Sequence, residues 1–197
     1  MKQMNVKHDL YGLLVADHVH TRKDGAEVYL FQTGPYREFD ASNCNDYAVS
    51  DVREWLNSDK PAGKWWTEKH GEGSKKPSYW DVAGFLAGFD KEFLDKLEET
   101  EFGYFFLPSY TEITGMPNGR FGMDGEQFDA FEGGKNRAAL CKCELFNGGR
   151  DWWWLRSANP GISYSVRGVS ASGDTDAGYS AFYRRRLLVP AFVIKNQ

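Results

Sequence analysis

The sequence predicts an α+β fold built as a single domain over residues 1–197. Three observations carry that expectation. An Asp24-Gly25 pair separates two short runs rich in Leu, Val and Tyr. Two capped segments with helical spacing follow. From Trp152 onward the pattern becomes a series of β-like runs punctuated by glycine. The chain has no internal repeat, low-complexity tract or linker to divide it, and a 41% hydrophobic share is enough for one core.

Leu10 to Ala16 and Ala26 to Gln32 read as a β-hairpin, because Asp-Gly favours a tight turn. Ser50 caps a helix in which Val52, Trp55 and Leu56 fall at i, i+3, i+4, and Asn57-Ser58 then Pro61 end it. A second helix begins after Asp90, with Phe93, Leu94 and Leu97 as its apolar stripe. Gly103 to Leu107 reads as a buried strand, and Ser109 with Glu112 matches a capping box. Gly115 to Gly134 is glycine-rich and aperiodic, the pattern of a long surface loop. Lys135 to Leu145 fits helix or strand. Strands are then expected at Trp152–Arg156, Ile162–Val169, Ser180–Arg186 and Leu188–Ile194.

Composition excludes several classes of function. A net charge of -4 and a pI of about 5.6 give no general drive toward nucleic acid or an anionic membrane. No apolar run approaches the roughly 18 residues of a membrane helix, so no membrane insertion is expected. Met1 to Asp9 is polar and lacks the apolar stretch of a secretory signal. The expectation is a chain that stays in the cytoplasm unless it leaves on a larger particle such as a phage virion.

Three cysteines cannot form a fully paired disulfide set. Cys141 and Cys143 would share one face of a strand, but His8, His18, His20 and His70 lack the paired spacing of a zinc site. His18 and His20 are expected at the surface. There is no Gly-x-Ser-x-Gly, phosphate-binding loop or His-Glu-x-x-His, so neither catalysis nor a cofactor or metal is expected. A small enzyme using Cys141 or Cys143 is the competing reading.

The candidate site is the stretch from Ser163 to Tyr183, with Arg184 and Arg186 at its margin. Its tyrosines lie among Ser, Gly and Asp, the composition of adaptable binding loops in which rigid rings supply area and small residues supply hydrogen bonds. The candidate ligand-binding residues are Ser163, Tyr164, Ser165, Arg167, Asp174, Asp176, Tyr179, Phe182, Tyr183 and Arg184. Asp174-Thr175-Asp176 offers oxygens of the kind calcium needs, but no recognised calcium-binding motif accompanies it and no metal is expected there. Alternation along Ser180–Arg186 would put Arg184 and Arg186 on one side.

Four segments carry a family resemblance: Val52-Arg53-Glu54-Trp55-Leu56-Asn57, Phe105-Phe106-Leu107-Pro108-Ser109, Trp153-Trp154-Leu155-Arg156-Ser157 and the closing Val189 to Lys195. Together they resemble a domain-of-unknown-function family of gut bacteria and phage. It is built on a C-type-lectin-like fold and is related to the variable proteins of diversity-generating retroelements and, more distantly, to formylglycine-generating enzymes. Val189 stands where that family often has Arg. The resemblance implies two helices flanking a central antiparallel sheet, with long Gly-rich loops and a ligand-facing C-terminal segment open to diversification. The cysteines of the formylglycine-generating relatives have no counterpart beyond Cys143. Residues and resemblance together point to a protein that binds a protein or glycan ligand. An assembly or virion interaction module is a third reading, and homo-oligomerisation stays open.

Overall fold

The computed structural model describes residues 2–69, 71, 73–134, 142–143, 149–175 and 178–196, with only the backbone described at 142–143. Its strands and α-helices are, in chain order, β1 (Gln3–His8), β2 (Gly12–Thr21), β3 (Glu27–Phe31), α1 (Asp51–Leu56), α2 (Lys91–Leu94), β4 (Phe105–Phe106), α3 (Tyr110–Thr114), β5 (Lys142–Cys143), β6 (Gly149–Arg150), β7 (Trp153–Ala158), β8 (Ser165–Val169), β9 (Gly178–Ser180) and β10 (Ala191–Ile194). Helices combine with sheets whose strand pairs are antiparallel, so the fold is α+β. No helix among the described residues is long and apolar enough to cross a membrane.

The hairpin forms as its sequence dictates. β2 pairs with β3 across a turn in which Arg22 N–H donates to the Ala26 carbonyl (2.9 Å) and Gly25 takes φ 85°, a conformation a side chain disfavours. β1 was not foreseen. Residues 3–8 look too polar for a core strand, but β1 is a sheet edge that buries only Val6 and His8. The main sheet runs β1-β2-β3-β10-β4. On one side, Phe31, Phe85, Phe89, Phe105 and Phe192 pack in stacked, tilted and edge-on pairs with ring centres 5.0–6.3 Å apart.

The helices begin where the caps predict. The Ser50 hydroxyl accepts from Arg53 N–H, the Asp90 carboxylate accepts from Phe93 N–H, and Ser109 and Glu112 make the reciprocal capping box. α2 lasts one turn only, and Leu97 lies beyond it as a buried bridge partner of Ile194.

Two expectations are corrected. The 115–134 segment is no free surface loop: Phe128 and Phe131 are buried, Asn118 is buried too, and short 3-10 turns form at Gly119–Phe121 and Asp129–Gly134. His20 is not at the surface either. It is buried against the Phe128 ring with Nδ1 3.1 Å from Asp129, because β2 runs on to Thr21 instead of stopping before the histidines; His18 is half-buried. The ambiguous Lys135–Leu145 stretch lies outside the described residues apart from β5, as does His70.

β7, β8 and β9 form a separate three-stranded sheet. Residues 186–188 stitch it to the rest: Leu187 exchanges backbone hydrogen bonds with Trp152 and Trp154, Leu188 N–H donates to Pro35 O, and Arg37 N–H donates to Arg186 O. Gly34 allows this approach, since a Cβ there would lie 1.6 Å from the Leu188 carbonyl oxygen.

Candidate functional site

The small sheet stands on tryptophan. Trp153, Trp154 and Leu155 are fully buried, and Trp154 Nε1–H donates to Arg37 O (2.9 Å). β8 pairs with β7 on one side and β9 on the other, with Ser165 opposite Ser180 and Val166 opposite Tyr179. Both of its faces are covered, so side chains at alternate positions go into the interior.

At the loop ends of this sheet the pattern changes. Ile162, Tyr164, Phe182 and Tyr183 leave 43%, 50%, 55% and 40% of their surfaces exposed. Isolated exposed large apolar side chains need no explanation, but these four are tied to one another through backbone. Ser165 N–H donates to Ile162 O, Ala181 N–H to Tyr164 O and Tyr183 N–H to Ser180 O. Two asparagines from a distant loop complete the clamp. Asn45 Nδ2 donates to the carbonyls of Ile162 and Ser165, and Asn43 Oδ1 accepts from Ser180 Oγ and Phe182 N–H. Asn43 reaches this position at φ 64°, a left-handed conformation that Asn tolerates better than most residues. The loop backbone is thus held while the rings stand outward.

Arg186 fixes the same group from below. Its guanidinium carbon lies 3.9 Å from the Tyr179 ring centre, 4.7 Å from Tyr183 and 4.9 Å from Trp152. Nη1 donates to Arg185 O (2.7 Å), and Nε has no partner among the described residues. The expectation that Arg184 and Arg186 share a side is corrected. β9 stops at Ser180 because the Ala181 carbonyl turns inward to accept from Phe39 and Asp40 N–H, and the chain then bends. Arg186 is consequently buried, and Arg184 is 70% exposed with Nε 3.8 Å from Glu38.

The other candidate residues divide. Ser163 is exposed beside Tyr164, and Tyr179 is half-buried in the Arg186 stack. Ser165 is corrected: it is buried within β8 and belongs to the frame. Arg167 is half-buried over the Tyr110 ring (4.4 Å) and donates from Nε to Asn118 Oδ1, also as part of the frame. Asp174 is exposed in a turn closed by Ser170, and Asp176 lies outside the described residues.

A second concavity, of about 900 Å³, was not anticipated. Its walls include Asp46, Phe102, Phe121, Met123, Asp124 and Arg156. On its floor Arg156 makes a two-pronged ion pair with Glu112 (2.6 and 2.8 Å), donates to the Leu107 and Asp124 carbonyls, and lies 4.1 Å from the Phe102 ring centre. Burial pulls against the Arg156 charge, but the charge and hydrogen bonds of Glu112 win and hold its pKa above the ordinary value. Burial likewise opposes ionisation of Asp124. Hydrogen bonds from Ser157 and Thr111 outweigh it and keep that carboxyl below the usual range. Glu112 also accepts the N-cap bond of α3, so this floor joins α3 to β7. The capping box and the Arg156-Ser157 motif were the available signals, and only the structure pairs them.

Cys44 is half-buried, and burial pushes its thiol pKa up, away from a reactive thiolate. Cys141 lies outside the described residues, as does the side chain of Cys143. Among the described residues no three His, Cys, Asp or Glu side chains are grouped to hold a metal ion.

The molecule is therefore an α+β domain with a core-anchored small sheet that carries a cluster of exposed aromatic side chains on tethered loops. Residues 26–196 match the DUF6273 family, a domain of unknown function, and the chain belongs to that family. No curated protein and no solved structure matches it.

Proposed function

We propose that this chain is a ligand-binding domain of C-type-lectin-like fold that presents Tyr164, Phe182 and Tyr183 to a protein or glycan partner. The single observation that carries the reading is the contrast between fixed backbone and exposed ring. Backbone groups of residues 162–165 and 180–183 are hydrogen-bonded to one another and to Asn43 and Asn45, whereas Tyr164, Phe182 and Tyr183 keep 40–55% of their surfaces in solvent. Rigid aromatic anchors on ordered loops give contact area at little conformational cost on binding. The N- and C-terminal strands sharing one sheet, with a second small sheet bearing the loops, favours the lectin-like form of the fold.

The test is a binding screen on glycan and peptide arrays. The wild-type domain is expected to give discrete positives that Tyr164→Ala and Tyr183→Ala each remove. Positives that persist in both variants would place binding elsewhere and overturn the reading. For the retroelement link, the expected genomic finding is a neighbouring reverse-transcriptase gene and a near-copy of the 3′ coding segment that differs at adenines. Absence of both removes diversification and leaves the binding face.

A further inference from the structure

Beside the aromatic group lies a pocket of about 310 Å³ whose lining includes Glu38, Asn43, Lys75, Lys76, Phe182 and Arg184. The chain as a whole is acidic, yet the described residues lining this pocket gather three cations against one carboxylate. Glu38 cannot neutralise them well. It is buried, accepts from Ser78 N–H and Oγ, and among the described cations approaches Arg184 alone, at 3.8 Å. Lys75 is exposed, and its ammonium has no partner among the described residues. Lys76 sits over the Trp80 ring (4.3 Å), which fixes the cation without supplying an anion.

The polar groups are also one-sided. Asn43 and Ser42 line the pocket: Asn43 Oδ1 is already occupied by Ser180 and Phe182, which leaves its Nδ2 without an acceptor among the described residues, and Ser42 Oγ accepts from Lys75 N–H with its own hydroxyl proton available. The cavity therefore offers donors and positive charge, and its rim offers the face of Phe182, more than half exposed. At the small end of ligand pockets, which run about 300–1,000 Å³, it has room for one sugar-sized ring.

We propose that this pocket takes the carboxylate-bearing ring of an acidic sugar, a uronate, with Arg184 and Lys75 on the carboxylate and Phe182 against the ring. An acidic peptide would satisfy the cations but would leave the Phe182 platform and the Asn43 and Ser42 donors without a matching ring and hydroxyls. The inference rests on the binding-face reading, because Phe182 belongs to both.

The experiment is calorimetric titration of the domain with a galacturonate trimer, a neutral galactose trimer and a hexaglutamate peptide. The uronate is expected to bind at least about tenfold more tightly than either control. Arg184→Gln and Phe182→Ala are each expected to weaken it about tenfold without a change in melting temperature. Raising ionic strength from about 0.01 M to about 0.15 M should weaken it further, since the cations are solvent-facing. Equal affinity for the neutral sugar, tighter binding of hexaglutamate, or uronate binding indifferent to both substitutions would each overturn the proposal. So would absence of uronate binding. If array positives sensitive to Tyr164→Ala survive that failure, the acidic-sugar pocket alone has failed; if they are missing too, the binding face has failed with it.

Discussion

Arg156 and Arg186 are equally buried, each with 7% of its surface exposed, yet different chemistry holds them. Arg156 faces a carboxylate, two carbonyls and two rings, Phe102 and Phe106. Arg186 faces three rings and a single carbonyl, with one nitrogen left over. The first arrangement is closed, with every bond made inside the protein. The second is open on its outer side, where Tyr183 is both a wall of the stack and part of the exposed group. The same residue type thus serves as a bolt in one region and as a support for display in the other. The proposed binding function rests on the second.

The largest effect expected from breaking this contrast is on Arg156. Arg156→Ala leaves Glu112 buried and unpaired, which costs about 3–5 kcal/mol in chemical denaturation. Glu112→Gln/Arg156→Met should recover part of that loss, because no uncompensated charge remains. Arg186→Ala is expected to cost less, about 1–2 kcal/mol, since ring stacking and one hydrogen bond to the Arg185 carbonyl are lost but no anion is stranded. Its larger consequence is on binding, because Tyr179 and Tyr183 lose their common support.

Acid should separate the two regions further. The Asp124 carboxyl sits below its ordinary pKa of 3.8 in the fold, so its contribution is complete above that value and is lost as pH falls below it. Unfolding followed between about pH 5 and pH 2 should show a steep acid limb that Asp124→Asn flattens. Arg186→Ala should leave the limb's slope unchanged, since no carboxylate is bonded to that guanidinium among the described residues.

Much of the frame was legible in the sequence, and for local reasons. The three caps at Ser50, Asp90 and Ser109 and the Asp24-Gly25 turn act within four residues, so spacing alone reveals them. What stayed hidden was non-local. β1 looked too polar until its edge position explained it, and Phe128 and Phe131 looked like loop until they packed inward. The site shows the same division. Composition marked 163–183 as a surface for contact, and Tyr164, Phe182 and Tyr183 are exposed there. It could not separate Ser165 and Arg167, which belong to the frame, from their neighbours, because β8 is covered on both faces and simple alternation fails. Nor could it bring Lys75 and Glu38 to Phe182, or Asn43 and Asn45 to the loops they clamp. Those partners come from more than a hundred residues away in the chain for Asn43 and Asn45, and such distances leave no trace in local pattern.

The central claim is that the three rings are surplus to folding and necessary for contact. The triple variant Tyr164→Ala/Phe182→Ala/Tyr183→Ala tests it most directly, with melting temperature and array binding measured on the same preparation. The expected result is a melting temperature within about 4 °C of wild type, equivalent to about 1 kcal/mol in a domain of this size, together with loss of array binding. A fall well beyond about 4 °C would show that the rings belong to the core, and retained binding would show that they are not the contact surface; either contradicts the account.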